Sequence, residues 1–136
     1  MKRRDFITTG AALLIAGPAL AGSGLRYKKG LVEQRLAAGE TVFLDFYTDW
    51  CTTCRAQQAT IRKLKSANPA YEDALTFVSV DWDKHRSSQL AKRLRIPRRS
   101  TLVVLRGDQE IGRIVAGTKK SDIQALMDAG VAAATA

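Results

Sequence analysis

Apolar and β-branched residues are concentrated in four short runs along the chain, and turn-forming residues flank each run. Runs of this length and composition are typical of β-strands. The last two runs are separated by little more than Gly107-Asp108, which predicts a hairpin. The predicted strands cover residues 41–47, 75–81, 101–106 and 110–116.

Around these strands, apolar residues recur at the spacing of amphipathic helices. Gly39 is placed to end the first helical segment, and Asn68-Pro69 is placed to end the second. The predicted helices cover residues 30–38, 51–66, 87–94 and 119–130, and residues 22–29 form a short polar lead-in.

The elements therefore follow the order helix–strand–helix–strand–helix–strand–strand–helix. Parallel strand–helix units followed by an antiparallel hairpin and a last packed helix predict an α/β fold. We expect a central mixed sheet of about four strands flanked by helices. A length of 136 residues suits one domain with one core, and we expect a monomer.

The N-terminal segment differs from the rest of the chain. Basic residues at positions 2–4 precede an apolar run over 6–21, and Ala19-Leu20-Ala21 fits a small-x-small cleavage site. The run is shorter than the roughly 20 residues that span a bilayer. We therefore predict an export signal peptide over residues 1–21 and a folded domain over 22–136; a retained N-terminal anchor and a plain cytoplasmic helix remain alternatives.

The chain is strongly basic, with 22 Lys and Arg residues against 13 Asp and Glu residues and a net charge of +9. This charge suggests acidic partners or proximity to a membrane surface, although a simple solvated cationic surface also accounts for it. No nucleic-acid-binding motif is visible, so we expect no nucleic acid as partner.

The only two cysteines, Cys51 and Cys54, lie where a predicted strand gives way to a predicted helix. Unpaired N–H groups and the dipole at a helix start favour a thiolate. Positions three apart on a helix are also close enough for a disulfide. Because closing a four-residue ring stabilises a fold little, we predict a redox-active pair rather than a structural one. Two thiolates can alternatively hold Cu(I), whereas His85 is the only histidine and a four-ligand zinc site is not predicted.

The stretch VFLDFYTDWCTTCR, residues 42–55, resembles the active-site strand and turn of the thioredoxin superfamily. Its Asp-Trp-Cys-x-x-Cys form looks most like periplasmic members, such as the C-terminal domain of DsbD-type reductases. The resemblance covers about residues 30–130. It implies a thioredoxin-like fold, a periplasmic location and thiol–disulfide oxidoreductase activity on protein disulfides, with no bound cofactor. It also implies a membrane thiol reductase as the electron donor. At the N-terminus, Arg3-Arg4 resembles a twin-arginine export signal, with Lys2 where Ser or Thr is usual.

The cysteines and one acid are the candidate catalytic residues. Cys51 stands nearer the helix start, so we expect it to be the more exposed, more acidic nucleophile, with Cys54 resolving the mixed disulfide. Asp45 matches the family's buried acid behind the second cysteine, which moves the proton of that thiol. A salt-bridged structural acid is the alternative for Asp45.

Candidate substrate-binding residues surround the cysteines. Trp50 flanks the nucleophile, and the resemblance implies that it shields the disulfide and offers a flat contact; a core aromatic is the alternative. Gly117 matches a family glycine where partners approach, although a turn glycine fits equally well. Two further candidates, Ser100 and Thr101, stand where the family has its cis-proline and the threonine that follows it. Arg99 lies in the same loop.

This loop departs from the family. A cis bond before serine costs about 2.5–4 kcal/mol, so we expect the Arg99–Ser100 bond to be trans, or strained. Ser100 then adds a hydroxyl near Cys51. We also expect Arg98 and Arg99 to raise the positive potential there, lowering the thiol pKa and favouring an acidic partner.

Reduction of partners is favoured over oxidation, because the Asp-Trp-Cys-x-x-Cys setting resembles the reducing branch of the family. Two alternatives remain: a redox-inert binding module with this fold, and a Cu(I) carrier that uses both thiolates.

Overall fold

A computed structural model describes residues 24–136; the predicted export signal over residues 1–21 lies outside the described residues. The strands are β1 (Leu25–Arg26), β2 (Thr41–Tyr47), β3 (Leu75–Asp81), β4 (Thr101–Arg106) and β5 (Gln109–Val115). The helices are α1 (Leu31–Ala37), α2 (Thr52–Ala67), α3 (Ala70–Ala74), α4 (Trp82–His85), α5 (Gln89–Leu94) and α6 (Lys120–Thr135).

One mixed sheet of five strands in the order β1-β3-β2-β4-β5 forms the centre of the fold. β3 runs parallel to both β1 and β2, whereas β4 is antiparallel to β2 and β5 is antiparallel to β4. The four predicted strands and the hairpin are confirmed. The fifth strand, β1, was predicted as polar lead-in, because two residues are too few to show an alternating pattern. Leu25 and Arg26 become a strand by pairing with Val78 and Ser79 at the sheet edge.

The four predicted helices are also confirmed, with shifted ends. α6 continues to Thr135, although Gly130 was predicted to end it. Gly130 instead lies within α6 and packs against β3, because a Cβ atom at this position would lie only 2.9 Å from the Leu75 side chain. The short helices α3 and α4 were not predicted, since one turn has too few residues to show a period. α4 begins where the Asp81 carboxylate accepts a hydrogen bond from the N–H of Asp83.

The core lies on both faces of the sheet, because successive strand residues point to opposite sides. On one face, α1 and α5 pack on Val42, Leu44 and Phe46 of β2. On the other face, α2 and α6 pack around Phe43. Each such fully buried side chain stabilises the fold by about 1.5–3 kcal/mol. This packing fixes the start of α2 beside the end of β2, where the cysteines lie. None of the helices within residues 24–136 has the length and hydropathy needed to cross a membrane.

Candidate active site

The two cysteines lie at the start of α2, as predicted. Cys51 is the N-cap residue, and its sulfur accepts a hydrogen bond from the backbone N–H of Cys54 at 3.1 Å. The sulfur therefore occupies the place that a serine or aspartate oxygen usually takes at a helix start. Both thiols are free. Cys51 is the more exposed of the pair, but only 4% of its surface is accessible, against 0% for Cys54.

The surroundings separate the acidities of the two thiols. Burial raises the pKa of Cys51, but hydrogen bonds with Cys54, Ser100 and Arg99 outweigh it and lower the pKa to about 7. Burial also raises the pKa of Cys54, and the neighbouring Cys51 sulfur raises it further, whereas Ser100 partly opposes these effects. At neutral pH the Cys51 thiol is therefore partly ionised, whereas Cys54 keeps its proton.

Ser100 lies directly against both sulfurs. Its Oγ atom is 3.1 Å from the Sγ of Cys51 and 3.1 Å from the Sγ of Cys54. The Arg99–Ser100 bond is trans, since residues 24–136 contain no cis peptide. Ser100 has a φ of 63°, in the left-handed region, which costs a residue other than glycine on the order of 1–3 kcal/mol. The predicted trans bond is therefore confirmed, and the backbone strain lies at Ser100.

Gln57 holds this loop in place, and sequence reasoning did not identify it. The side chain is fully buried, and its Nε2 atom donates to the carbonyl oxygens of Ser100 at 3.0 Å and Gly117 at 2.9 Å. It lies one turn after Cys54, on the face of α2 that points into the protein. A glutamine at an inward helical position was the available signal, since buried amides need hydrogen-bond partners.

Trp50 and Arg99 form the outer side of the site. The Trp50 side chain is 59% exposed, and its Nε1 atom donates to the Asp83 carboxylate at 3.0 Å. The Arg99 guanidinium lies 4.3 Å from the centre of the Trp50 ring, within the range of a cation–π interaction. Arg99 thus lies over the Trp50 ring and also lowers the pKa of Cys51. Arg98 instead donates from its Nε to the carbonyl oxygen of Arg99 and is absent from the groups that shift the Cys51 pKa.

The remaining candidate substrate-binding residues lie behind or beside the sulfurs. Thr101 is fully buried, and its hydroxyl donates to the carbonyl oxygen of Arg98 at 2.7 Å. Gly117 is half-buried on the loop after β5, where a Cβ atom would lie only 2.9 Å from Ile114. Thr101 therefore anchors the loop that carries Arg99, while the absence of a side chain at Gly117 leaves room for that of Ile114.

Asp45 is buried in β2, with only 8% of its surface exposed. Gln58 donates to its Oδ2 atom at 3.2 Å, whereas Oδ1 has no hydrogen-bond partner among the described residues. Burial raises the pKa of this carboxyl to about 6, and the Gln58 hydrogen bond only partly opposes that effect. The carboxyl lines a cavity of about 320 Å³ that also touches Ser79, its register partner on β3. Asp45 makes no salt bridge with any of residues 24–136, so its environment is that of a buried acid able to hold a proton near neutral pH.

Metal ligands are sparse in the part of the chain that the structure covers. Residues 24–136 contain no cluster of three or more His, Cys, Asp or Glu side chains that could hold a metal ion. The two sulfurs remain the one pair whose chemistry suits a soft, two-coordinate ion such as Cu(I).

Comparison with known proteins places this geometry in a family. The thioredoxin family model matches residues 27–129. Mitochondrial Thioredoxin-2 of Schizosaccharomyces pombe is 31% identical over 87 residues, which cover 64% of this chain and 61% of that protein. Thioredoxin H2-1 of Oryza sativa is 29% identical over 61% of this chain and 55% of its own length. The chain thus spans somewhat more than half the length of these curated relatives.

Solved structures agree. The crystal structure of Trxlp from Edwardsiella tarda superposes with a TM-score of 0.66 and 30% identity, covering 76% of this chain and 98% of that one. The α/β fold, the mixed sheet and a free Cys51–Cys54 pair at the start of a helix all accord with thiol–disulfide redox chemistry. The chain belongs to the thioredoxin family.

Proposed function

We propose that this protein is an exported thiol–disulfide oxidoreductase that reduces disulfides of partner proteins through the Cys51–Cys54 pair. The observation that carries the proposal is the state of the Cys51 sulfur. It caps α2, accepts the Cys54 N–H at 3.1 Å and has a pKa lowered to about 7. Such a sulfur is partly ionised at neutral pH, close to the optimum for an attacking thiol.

The cycle starts when the Cys51 thiolate attacks one sulfur of the partner's disulfide. A Cys51–partner disulfide forms, and the other partner sulfur leaves as a thiolate. Cys54 then loses its proton and attacks the Cys51 sulfur, forming the Cys51–Cys54 disulfide and releasing the second partner sulfur. Two electrons pass from the cysteine pair to the partner, and the Cys54 proton ends on a partner thiolate.

Asp45 is proposed to take the proton from Cys54 during the second attack. A carboxyl with a pKa of about 6 can both accept and release a proton near neutral pH. The cavity of about 320 Å³ beside it provides space through which water could carry that proton to or from the surface.

The partner is proposed to dock on the exposed surface beside Cys51. Trp50 and Val115 are the exposed large apolar side chains of residues 24–136, and Val115 directly precedes the loop that carries Gly117. The main chain of Ser100 is already engaged through its N–H and its carbonyl oxygen. The proposed contact surface therefore consists of Trp50, Arg99 and Gly117. The buried residues Ser100 and Thr101 support this surface from inside the protein.

The reducing direction and the electron donor follow from the Asp-Trp-Cys-x-x-Cys setting, which resembles that of DsbD-type domains. A membrane thiol reductase of that kind would restore the dithiol after each cycle. Sulfur oxidation and cytochrome maturation are processes that need such a reductant.

The test is the reduction potential of the chain, measured by equilibration in glutathione and dithiothreitol buffers, with Cys51→Ser as control. A midpoint near the value of thioredoxin, about −270 mV, supports a reductant; one near that of DsbA, about −120 mV, indicates an oxidant. If no reversible Cys51–Cys54 disulfide forms at any redox potential of the buffer, the oxidoreductase proposal fails. Cu(I) titration against glutathione would then separate a copper carrier from a redox-inert binding module.

Export is a separate part of the proposal, supported by the basic and apolar residues 1–21. Fractionation of cells that produce a C-terminally tagged chain, with mass determination of the mature protein, tests it. Cleavage after Ala21 and recovery in the periplasm support the proposal. Replacement of both Arg3 and Arg4 by Lys should block export if the twin-arginine route is used. An intact chain in the cytoplasm would contradict export.

A further inference from the structure

The Ser100 hydroxyl is equidistant from the two reacting sulfurs. Its Oγ atom lies 3.1 Å from the sulfur of Cys51 and 3.1 Å from that of Cys54. Ser100 is fully buried, and both cysteines are buried with it. The hydroxyl therefore has the two sulfurs as its hydrogen-bonding neighbours rather than bulk water.

The backbone holds this hydroxyl in place against its own conformational preference. Ser100 keeps a φ of 63° because three hydrogen bonds fix its main chain. Its N–H donates to Phe46 at 2.7 Å, and its carbonyl oxygen accepts from Ala116 at 2.8 Å and from Gln57 at 3.0 Å. A strained residue that is held this firmly beside reacting atoms is typical of a functional position.

A hydroxyl has one hydrogen to donate and two lone pairs that accept. Placed between a thiolate and a thiol, it can donate to the Cys51 thiolate while it accepts the S–H of Cys54. We propose that Ser100 bridges the two sulfurs in this way and stabilises the reduced pair relative to the disulfide. The inference rests on the proposed redox function and adds the residue that sets its equilibrium.

The direction of the effect follows from what oxidation removes. The Cys51–Cys54 disulfide has no charged sulfur to receive the hydroxyl hydrogen and no S–H to donate to its oxygen. Hydrogen bonds with an ionised partner are roughly twice as strong as neutral ones. Ser100 therefore favours the dithiol and makes the pair a weaker reductant than the same fold without the hydroxyl.

The test compares three full-length variants: Ser100→Gly, Ser100→Ala and Ala116→Gly. Glycine adopts a positive φ without strain, so Ser100→Gly removes the hydroxyl and keeps a foldable backbone. Ala116 also has a positive φ, at 64°, and its main-chain N–H donates to the carbonyl oxygen of Ser100. Ala116→Gly therefore relieves comparable strain next to the site and retains the hydroxyl.

Two readouts are measured on each variant: the pH profile of the iodoacetamide reaction of the reduced chain, and the equilibrium constant with glutathione. In Ser100→Gly we expect the acid dissociation constant of Cys51 to fall about tenfold. We also expect the glutathione equilibrium to move about tenfold towards the disulfide, or about 30 mV to more negative potential. Ser100→Ala should agree wherever it folds, and Ala116→Gly should match the unsubstituted chain.

Each outcome decides the inference. If Ser100→Gly matches the unsubstituted chain in both readouts, the bridge does not exist. If Ala116→Gly moves both readouts as far as Ser100→Gly does, backbone strain rather than the hydroxyl sets them, and the inference is overturned. A failure of the redox function itself would appear differently, as no disulfide in any variant. The pH profile of the reduced thiols would still decide the bridge in that case.

Discussion

The Nε2 atom of Gln57 lies 3.0 Å from the carbonyl oxygen of Ser100 and connects the reactive helix to the loop beside it. The same atom lies 2.9 Å from the carbonyl oxygen of Gly117. One buried amide of α2 thus holds both loops that border the cysteines. The start of α2 and the loops that carry Ser100 and Gly117 are therefore joined through this side chain.

Replacement of Gln57 by Leu should remove both hydrogen bonds while the side-chain volume stays nearly constant. The carbonyl oxygen of Gly117 loses the Gln57 donor, while that of Ser100 keeps only the bond from Ala116. Such a loss costs about 1–3 kcal/mol. We expect the free energy of unfolding in urea to fall by that amount. Gln34→Leu, at an exposed position of α1, is the matched control and should change stability by less than about 0.5 kcal/mol. Equal losses in the two variants would contradict the role of Gln57.

Arg99 and Arg98 are adjacent arginines with different surroundings, and they make a matched pair. Of the two, only Arg99 lies over the Trp50 ring and is among the groups that lower the pKa of Cys51. We expect Arg99→Met to raise the pKa of Cys51 towards its ordinary value, and Arg98→Met to leave it close to that of the unsubstituted chain. The pH profile of thiol alkylation measures both.

Equal shifts in the two arginine variants would mean that the general positive field of the loop, not contact, acts on the sulfur. Such a field is screened by salt, whereas a direct hydrogen bond is much less so. Repeating the titration at high ionic strength separates the two causes.

The elements that could be predicted from the sequence were those with several apolar residues at a regular spacing. The strands β2, β3 and β4 each bury several apolar residues, so their composition alone identified them. β5 has no buried residue, and its β-branched composition and the Gly107-Asp108 turn before it identified it instead. The position of Cys51 at the start of α2 followed from the change between a strand pattern and a helix pattern. In contrast, β1 exists because its backbone pairs with β3, which no side-chain pattern in Leu25–Arg26 records.

The details of the site depended on tertiary contacts between distant parts of the chain. The sequence placed Ser100 near the cysteines only through a family resemblance, and its contact with both sulfurs required the folded backbone. Arg98 and Arg99 looked equivalent, but their neighbours differ once the loop is folded. Gln57 was overlooked because its partners lie 43 and 60 positions away in the sequence.

Cysteine-to-serine variants should separate the two proposed catalytic roles. In Cys54→Ser, the Cys51 thiolate can still attack, but nothing releases the mixed disulfide. We therefore expect a stable one-to-one adduct with a disulfide-bearing partner or with glutathione. Cys51→Ser should form no adduct, because the remaining thiol is fully buried and has a raised pKa. Intact mass determination under non-reducing conditions checks both; adducts on Cys54 in the Cys51→Ser chain would reverse the assignment.

Asp45 should make stability depend on pH between its unfolded and folded pKa values. An aspartate has a pKa of about 3.9 in an unfolded chain, and burial raises that of Asp45 to about 6. Between these values the folded state binds more protons than the unfolded state, so the free energy of unfolding falls as pH rises. Integrated over this range, the decrease in the free energy of unfolding reaches about 3 kcal/mol above pH 6, and there is no decrease below pH 4.

Asp45→Asn removes the charge and retains an oxygen that can accept from Gln58. We expect this variant to be more stable than the unsubstituted chain by about 1–3 kcal/mol at pH 7, with no such gain at pH 4, in urea unfolding at both pH values. The exposed Asp108, substituted in the same way, is the control and should give no comparable difference between the two pH values. A gain for Asp45→Asn of equal size at both pH values would assign the effect to packing instead of ionisation. If Asp45→Asn also releases the mixed disulfide more slowly, the Asp45 carboxyl takes part in proton transfer. That role would account for keeping a buried carboxyl that destabilises the fold.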